Sequence, residues 1–289
     1  MSGTRIPLVA TALAALLLLT GCAGRAQSPD VEHADQQGPT VIGTDGSAES
    51  RVVAALYGEL LTHAGQRVRV SATGYTSPSA SAEAVVEGRL GLAPAYESTL
   101  LRTFPGGGAL PGNMAATLSM ALPVGIEALP PAAAERGIVL AVTRATARRH
   151  GLHSLADLRK AGGRLTLGGP ASGDPDVPPP AFLKKAYGVT IAPASTSATA
   201  DVQVLRGTDP ALTRTGLVVL ADPRGVVPPE HVIPLIAAPD ADPVATKALA
   251  RLNPVLTTGQ LAQLVSSVKA GEAPARAARS WLRARGLLT

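Results

Sequence analysis

From residue 40 onward the chain alternates short β-branched or apolar runs with helix-patterned stretches, and after a Pro/Gly-rich region the alternation starts again. Thr40 to Gly43 reads as a strand leading into the turn-like Thr44-Asp45-Gly46-Ser47. Apolar residues then recur at Val52, Val53, Leu56, Tyr57, Leu60 and Leu61, the spacing of an amphipathic helix. Val68-Arg69-Val70-Ser71 predicts a second strand, residues 81–87 a short helix, and Leu90-Gly91-Leu92-Ala93 a third strand. Strand and helix in that order imply a parallel, doubly wound sheet, because a crossover helix is what lets successive strands lie side by side. The second series begins with a strand at 138–142 and a helix at 144–150, followed by Ser154-Leu155-Ala156-Asp157 in the form of a capping box. Leu165-Thr166-Leu167 runs into Gly168-Gly169-Pro170, and residues 202–205 and 217–220 supply further strands. Thr257-Thr258-Gly259-Gln260 caps one late helix, and residues 275–285, stopped by Gly286, form the last.

Ahead of this body lies the chain's single cysteine, Cys22, after Leu19-Thr20-Gly21 and the apolar run 6–19. One positive charge at Arg5, a short apolar stretch and small residues before a cleavage point are the parts of a secretory signal. The run is too short to cross a hydrocarbon core as a helix, which takes roughly 20 apolar residues. The segment resembles the bacterial lipobox, which implies cleavage before Cys22 and acylation of its thiol. An ordinary signal peptide with an incidental cysteine is the alternative, but an unpaired exported thiol would then be a liability. Residues 1–21 are thus expected to be a lipoprotein signal peptide. Residues 22–39, rich in Gly, Gln, Ser and Asp, read as a flexible tether. The expected location is the outer, extracytoplasmic face of the cell membrane, with the bilayer as a partner through acylated Cys22.

Composition narrows the function classes. The net charge is +5, but the basic residues are dispersed and aromatics make up 2%, which argues against base stacking on a nucleic acid. None of the five histidines has a partner at zinc-ligand spacing. Gly106-Gly107-Gly108 lacks a following GK[ST] and reads as a connection rather than a phosphate loop. There is no GxSxG elbow, so the residues nominate neither an enzyme nor a cofactor. Arg276, Arg279 and Arg283 fall near one face of the last helix, most simply as a solvated row.

Five stretches carry a resemblance to a known family. They are Ile42-Gly43-Thr44-Asp45-Gly46-Ser47-Ala48-Glu49-Ser50, residues 87–101 around Pro94-Ala95-Tyr96, residues 165–170, residues 201–211 with Thr208-Asp209-Pro210, and Gly216-Leu217-Val218-Val219-Leu220. The register continues through Val232-Ile233-Pro234-Leu235 to Trp281-Leu282. In this order the chain resembles the glycine betaine, choline and carnitine substrate-binding proteins of osmoprotectant ABC importers. The resemblance implies an α/β, two-lobed, periplasmic-binding-protein-like fold (type II), with two doubly wound lobes, a central cleft and two crossovers. Lobe 1 would comprise residues 40–142 and 232–289, and lobe 2 residues 143–231. Ligands bind outside the carboxyl ends of parallel strands, which places Asp45, Ser47, Tyr96, Glu97, Gly169-Pro170, Arg206, Thr208 and Asp209 around one crevice; these, without Gly169-Pro170 and with Tyr75 as a candidate cage wall, are the expected ligand-binding residues.

Departures from the family pattern bear on the solute. Quaternary ammonium groups are held by aromatic faces, whose quadrupole attracts a cation that donates no hydrogen bond. Tyr96 stands at a cage-tyrosine position and Tyr75 is a plausible second wall, whereas Tyr57, Tyr187 and Trp281 read as packing residues. Ser47 occupies a position that is often aromatic, Glu97-Ser98 replaces Thr-Gly, and Arg206 takes an aromatic position. A guanidinium would repel trimethylammonium and suit a carboxylate, phosphate or phenolic oxygen. The resemblance therefore implies a monomeric solute-binding lipoprotein of an osmoprotectant-type importer, partnered by an ABC permease, with a pocket diverged toward another small polar or anionic solute. The alternative is an envelope sensor or scaffold lipoprotein on the same fold, and an enzyme ranks third.

Overall fold

The structure, a computed structural model, describes residues 38–106, 113–194 and 200–288. Cys22, the apolar run, the tether up to residue 37, and Gly107 and Gly108 lie outside the described residues. Pro39–Thr289 form one compact unit.

The first lobe opens with β1 (Thr40–Ile42), α1 (Ala48–His63), β2 (Val68–Val70), α2 (Pro78–Val86) and β3 (Leu92–Tyr96). The helices α3 (Glu97–Thr103) and α4 (Met114–Ala121) and the strand β4 (Ile126–Ala128) follow. Ser47 and Ser77 start α1 and α2 as N-caps, each side-chain oxygen accepting a backbone N–H three residues on. The second lobe contains β5 (Ile138–Thr143), α5 (Arg144–His150), a 3₁₀ helix (Leu155–Ala161), β6 (Leu165–Gly168), α6 (Pro180–Tyr187), β7 (Ile191–Pro193), β8 (Val202–Arg206), α7 (Ala211–Arg214) and β9 (Leu217–Val219). The Ser154/Asp157 capping box is present, but it opens a 3₁₀ turn rather than an α-helix. The chain then returns through β10 (Val232–Ala237) to α8 (Pro243–Ala250), α9 (Thr258–Lys269) and α10 (Pro274–Arg283).

The two sheets repeat one plan. Their strand orders are β2-β1-β3-β10-β4 and β7-β6-β8-β5-β9. In each, three parallel strands are followed by one that runs antiparallel to its neighbours: β10 against β3 and β4, and β5 against β8 and β9. The parallel strands follow the strand–helix order read from the sequence, and the returning strand makes each sheet mixed. The lobe boundary moves. The boundary expected from the sequence puts residues 138–142 in lobe 1, yet Ile138 pairs with Arg206 and Val142 with Val218, so β5 belongs to the second sheet. Apolar alternation reports that a strand is buried and says nothing about its neighbours, which is why the sequence left β5 on the wrong side.

Packing explains why these elements hold. Val52, Val53, Leu56, Tyr57, Leu60 and Leu61 of α1 are buried in one core with Leu249 of α8, Leu261 and Val265 of α9, and Trp281 and Leu282 of α10. The opposite face of that sheet is covered by α2, α3 and α4 through Val85, Leu100 and Leu118. A smaller core in the second lobe gathers Leu140, Leu155, Leu158, Leu183, Val202 and Val204. Of the arginine row on α10, Arg279 makes a two-pronged pair with Glu59 of α1 at 2.7 and 2.8 Å.

Two glycines let the cleft-edge loops touch. Gly46 adopts φ of 77°, and a Cβ on Gly74 would lie 2.5 Å from the Gly46 Cα. That contact, with Tyr75 N–H donating to the Thr44 carbonyl at 2.7 Å, sets the N-caps Ser47 and Ser77 along the same edge. Gly74→Ala is expected to destabilise the protein by about 1–3 kcal/mol through backbone displacement. Gly173→Ala, where an added Cβ meets nothing within 4 Å, should stay within about 0.5 kcal/mol of the parent. Urea denaturation of the two variants compares them directly, and equal midpoints would contradict the close-approach argument.

Candidate functional site

The base of the cleft is made where the two crossovers run past each other. Glu135 and His231 form an antiparallel bridge, Arg136 N–H donates to the Glu230 carbonyl at 3.0 Å, and Gly207 N–H donates to the Gly137 carbonyl at 2.9 Å. Because Val232 pairs with Tyr96 and Ile138 with Arg206, the same crossing brings the ends of β3 and β8 together. A cavity of ≈ 350 Å³ lies there. The first lobe lines it with Asp45, Ser47, Glu49, Thr76 and Ser77, the first crossover with Arg136, the second lobe with Arg206, Thr208 and Asp209, and α9 with Lys269.

Glu49, in the first turn of α1, organises the floor. Its carboxylate accepts from the Tyr96 hydroxyl at 3.0 Å and from the Thr208 hydroxyl, and Arg136 Nη1 lies 3.7 Å away. The Arg136 guanidinium covers a face of the Tyr96 ring, with Cζ 3.9 Å from the centroid, and its Nε is 4.0 Å from Glu230. Burial works against the Arg136 charge, but Tyr96 and Glu49 outweigh it and raise its pKa above the ordinary guanidinium value. Tyr96 is pushed well up by burial and by the Glu49 charge, so its phenol stays protonated and donates.

Arg206 is half-buried. Its Nη2 pairs with Asp174 while its Nη1 is buried without a hydrogen-bond partner. Burial and the neighbouring Arg136 lower its pKa to about 10, so it remains cationic at neutral pH. The cleft acids are already engaged: Asp45 accepts from Ser47 N–H and Asp209 from Ala211 N–H, both at 2.8 Å, and Glu49 is occupied as described. Beside these acids stand donors without a partner: the Nη1 of Arg206 and the ammonium of Lys269, which has no ion-pair partner among the described residues. Of these donors the Arg206 Nη1 is buried, and an unpaired buried guanidinium nitrogen favours an anionic group.

A second cluster ties the lobes beside the cleft. Ser98 donates to Asp176 at 3.0 Å and to Glu230, Arg102 pairs with Asp176, and Thr99 N–H donates to Glu230 at 3.0 Å. Glu97 accepts from His231 N–H at 3.3 Å, and its Oε2 is 2.9 Å from the His231 Nδ1.

Of the residues nominated by sequence, Asp45, Ser47, Arg206, Thr208 and Asp209 line the cavity together, and Tyr96 lies against it under Arg136. Tyr75 does not join them: its hydroxyl accepts from Arg89 at 3.0 Å and its ring packs on the first-lobe core. Glu97 is turned to His231 instead of the cavity. Tyr57 is core, and Tyr187 bonds Asp222. Sequence reasoning missed Arg136, Glu230 and Asp174, and it quoted Glu49 without giving it a role. The available signal was an ionisable residue directly ahead of each crossover strand, at Arg136 before Ile138 and at Glu230 before Val232.

Two α/β lobes, two crossovers and a polar interlobe cleft define the class of hinged solute-binding proteins. The chain belongs to the OpuAC family, described as the substrate binding domain of ABC-type glycine betaine transport systems, which it matches over residues 38–284. Solved structures agree in fold. A glycine betaine/carnitine/choline ABC transporter protein is similar at 18% identity and a TM-score of 0.74, covering 87% of this chain and 100% of its own. Apo YehZ from Escherichia coli is similar at 19% identity and a TM-score of 0.68, with the same coverage. Lactococcal OpuAC complexed with glycine betaine is similar at 14% identity and a TM-score of 0.56, covering 87% and 98%. No curated protein matches the chain in sequence.

Glu230 generates a pH prediction. Burial is the largest influence and raises its pKa from 4.5 to about 7, with Asp176 adding to the rise while Arg136 and the Thr99 N–H oppose it. The folded state therefore keeps a proton that the unfolded chain releases. The resulting stabilisation is fully present below pH 4.5 and is lost as pH rises through 7. Measured against Glu230→Gln, the parent should lose about 2–3 kcal/mol of unfolding free energy across that interval. Urea unfolding of both proteins in a pH series checks it, and a constant difference would mean that Glu230 is ionised throughout.

Proposed function

We propose that this protein is the solute-binding lipoprotein of an ABC importer, held at the outer face of the cell membrane by acylated Cys22, and that its cleft takes a small polar solute carrying an anionic group. The single observation behind the solute class is the mismatch in the cavity: Arg206 keeps a buried unpartnered Nη1 while Asp45, Glu49 and Asp209 are all engaged. The family's role in glycine betaine-type transport systems supports the partnership with a permease. The Leu19-Thr20-Gly21-Cys22 segment supports the anchor. Hinge closure over the solute would bring Arg206 of the second lobe onto a group held against α1 of the first.

The alternative, an envelope sensor or scaffold, draws support from the side chains that already join the lobes, namely Thr208 to Glu49 and both Ser98 and Arg102 to Asp176. Such direct contacts suit a body that stays shut. Small-angle scattering separates the two readings, since a transport binder compacts on adding its solute and a locked body does not.

A thermal-shift screen of small carboxylates, phosphates and phenolics should find a solute that raises the melting temperature, because a ligand of the native state stabilises it. For that solute, Arg206→Met should weaken binding about 10- to 100-fold by calorimetry. Unchanged affinity would remove Arg206 from the site. Cys22→Ala should move the protein from the membrane to the soluble fraction, and undiminished membrane retention would end the lipoprotein reading.

A further inference from the structure

Aromatic rings capture cations through their faces, and this chain has few rings: one Trp, four Tyr and two Phe. Among the described residues none of them lines the cavity. Tyr57 is in the core, Tyr75 is paired with Arg89, Tyr187 with Asp222, and Trp281 lies under Arg285 on α10. Tyr96 alone comes up against the cleft floor, fully buried, with the Arg136 guanidinium on its ring. Around that guanidinium stand two buried carboxylates, Glu49 at 3.7 Å and Glu230 at 4.0 Å. An aromatic face flanked by two buried acids is the environment that stabilises a desolvated cation, and here the cation is supplied by the first crossover.

We infer that Arg136 is a built-in cation that fills the protein's own cation box, making it the specificity residue that excludes quaternary ammonium solutes and leaves the cleft to anionic ones. This rests on the reading of the cleft as the solute site. Four features support it. The guanidinium matches both demands of the box, planar stacking on the ring and charge opposite the Glu49 carboxylate. Its position is fixed by backbone, through its N–H to Glu230 and through Gly207 N–H on the adjoining Gly137 carbonyl. Its charge is held by Tyr96 and Glu49 against the burial cost. Finally, Arg136 and Arg206 line the same cavity as Asp45, Glu49 and Asp209, and of these charged groups it is Arg136 that occupies the face of the Tyr96 ring a free cation would need.

The test removes the tethered cation and asks whether a free one replaces it. Calorimetry with tetramethylammonium and with glycine betaine is run on the full-length parent, on Arg136→Met, and on the double variant Arg136→Met/Glu230→Gln. The double variant discards one carboxylate with the arginine, which guards against unfolding from two uncompensated buried acids. Circular dichroism confirms the fold of each. The parent should bind tetramethylammonium weakly or not at all, and a folded variant should gain about tenfold or more in affinity. Adding Tyr96→Leu should abolish that gain, an effect a merely structural arginine would not produce. Quaternary-amine binding by the parent at the level of the variants, or no gain in either folded variant, overturns the inference. Acetate and malonate titrated into the parent report separately on the proposed solute class. Carboxylate binding with no gain in the variants defeats this inference alone, whereas a gain in the variants without carboxylate binding by the parent upholds it and defeats the proposed class.

Discussion

Everything at the cleft depends on the two crossovers lying antiparallel to each other at Glu135–Gly137 and Glu230–His231. Each lobe needs a strand that enters from the other, β5 for the second sheet and β10 for the first, and each such strand must run against its parallel neighbours. Chain continuity then forces the carboxyl ends of β3 and β8 to face the residues just ahead of β10 and β5. Tyr96 comes to lie under Arg136, which stands beside Glu230, while Arg206 at the end of β8 pairs with Asp174 and lines the same cavity. The site is a consequence of how the chain passes between lobes, and its charged residues are held by backbone pairing before any side-chain preference acts.

That origin explains the electrostatics. Arg136, Glu49, Glu230 and Arg206 are all drawn out of water, and isolated charges there would be prohibitively costly. They are tolerated because they alternate in sign and share hydrogen bonds with Tyr96, Thr208, Ser98, Thr99 and Asp174. The alternation is incomplete: Arg206 Nη1 and Arg136 Nε are buried without a hydrogen-bond partner, and Glu230 relieves its situation by holding a proton to about pH 7. The unpartnered nitrogens are unmet donors, and the retained proton is a cost to stability at higher pH. Both follow from placing four ionisable groups where the lobes meet.

The family relation and the site pull in different directions, and the physical resolution is local. Fold similarity at 14–19% identity extends over 87% of the chain, so the scaffold and its crossovers are shared. In this chain's lining an arginine covers the tyrosine at the floor and a second arginine ends β8. A lining can be rewritten without disturbing a scaffold because loop ends and crossover residues contribute little to the three apolar cores.

Local chemistry was legible from the residues. The N-cap at Ser47, the amphipathic face of α1, the capping boxes at Ser154 and Thr257 and most of the strands follow from side-chain type and spacing, which act within a few residues and need no fold to be read. The cleft placement of Asp45, Ser47, Arg206, Thr208 and Asp209 was reached by resemblance together with the rule that ligands sit beyond strand ends. Only tertiary structure decided the rest. It assigned β5 to the second sheet, turned Tyr75 toward Arg89 and Glu97 toward His231, and set Arg136 on Tyr96 across 39 residues of intervening sequence. The reason is that strand partners and buried charge pairs are long-range choices: an apolar run fits either sheet equally well, and an arginine carries no mark of which acid or ring it will meet until the crossovers bring them together.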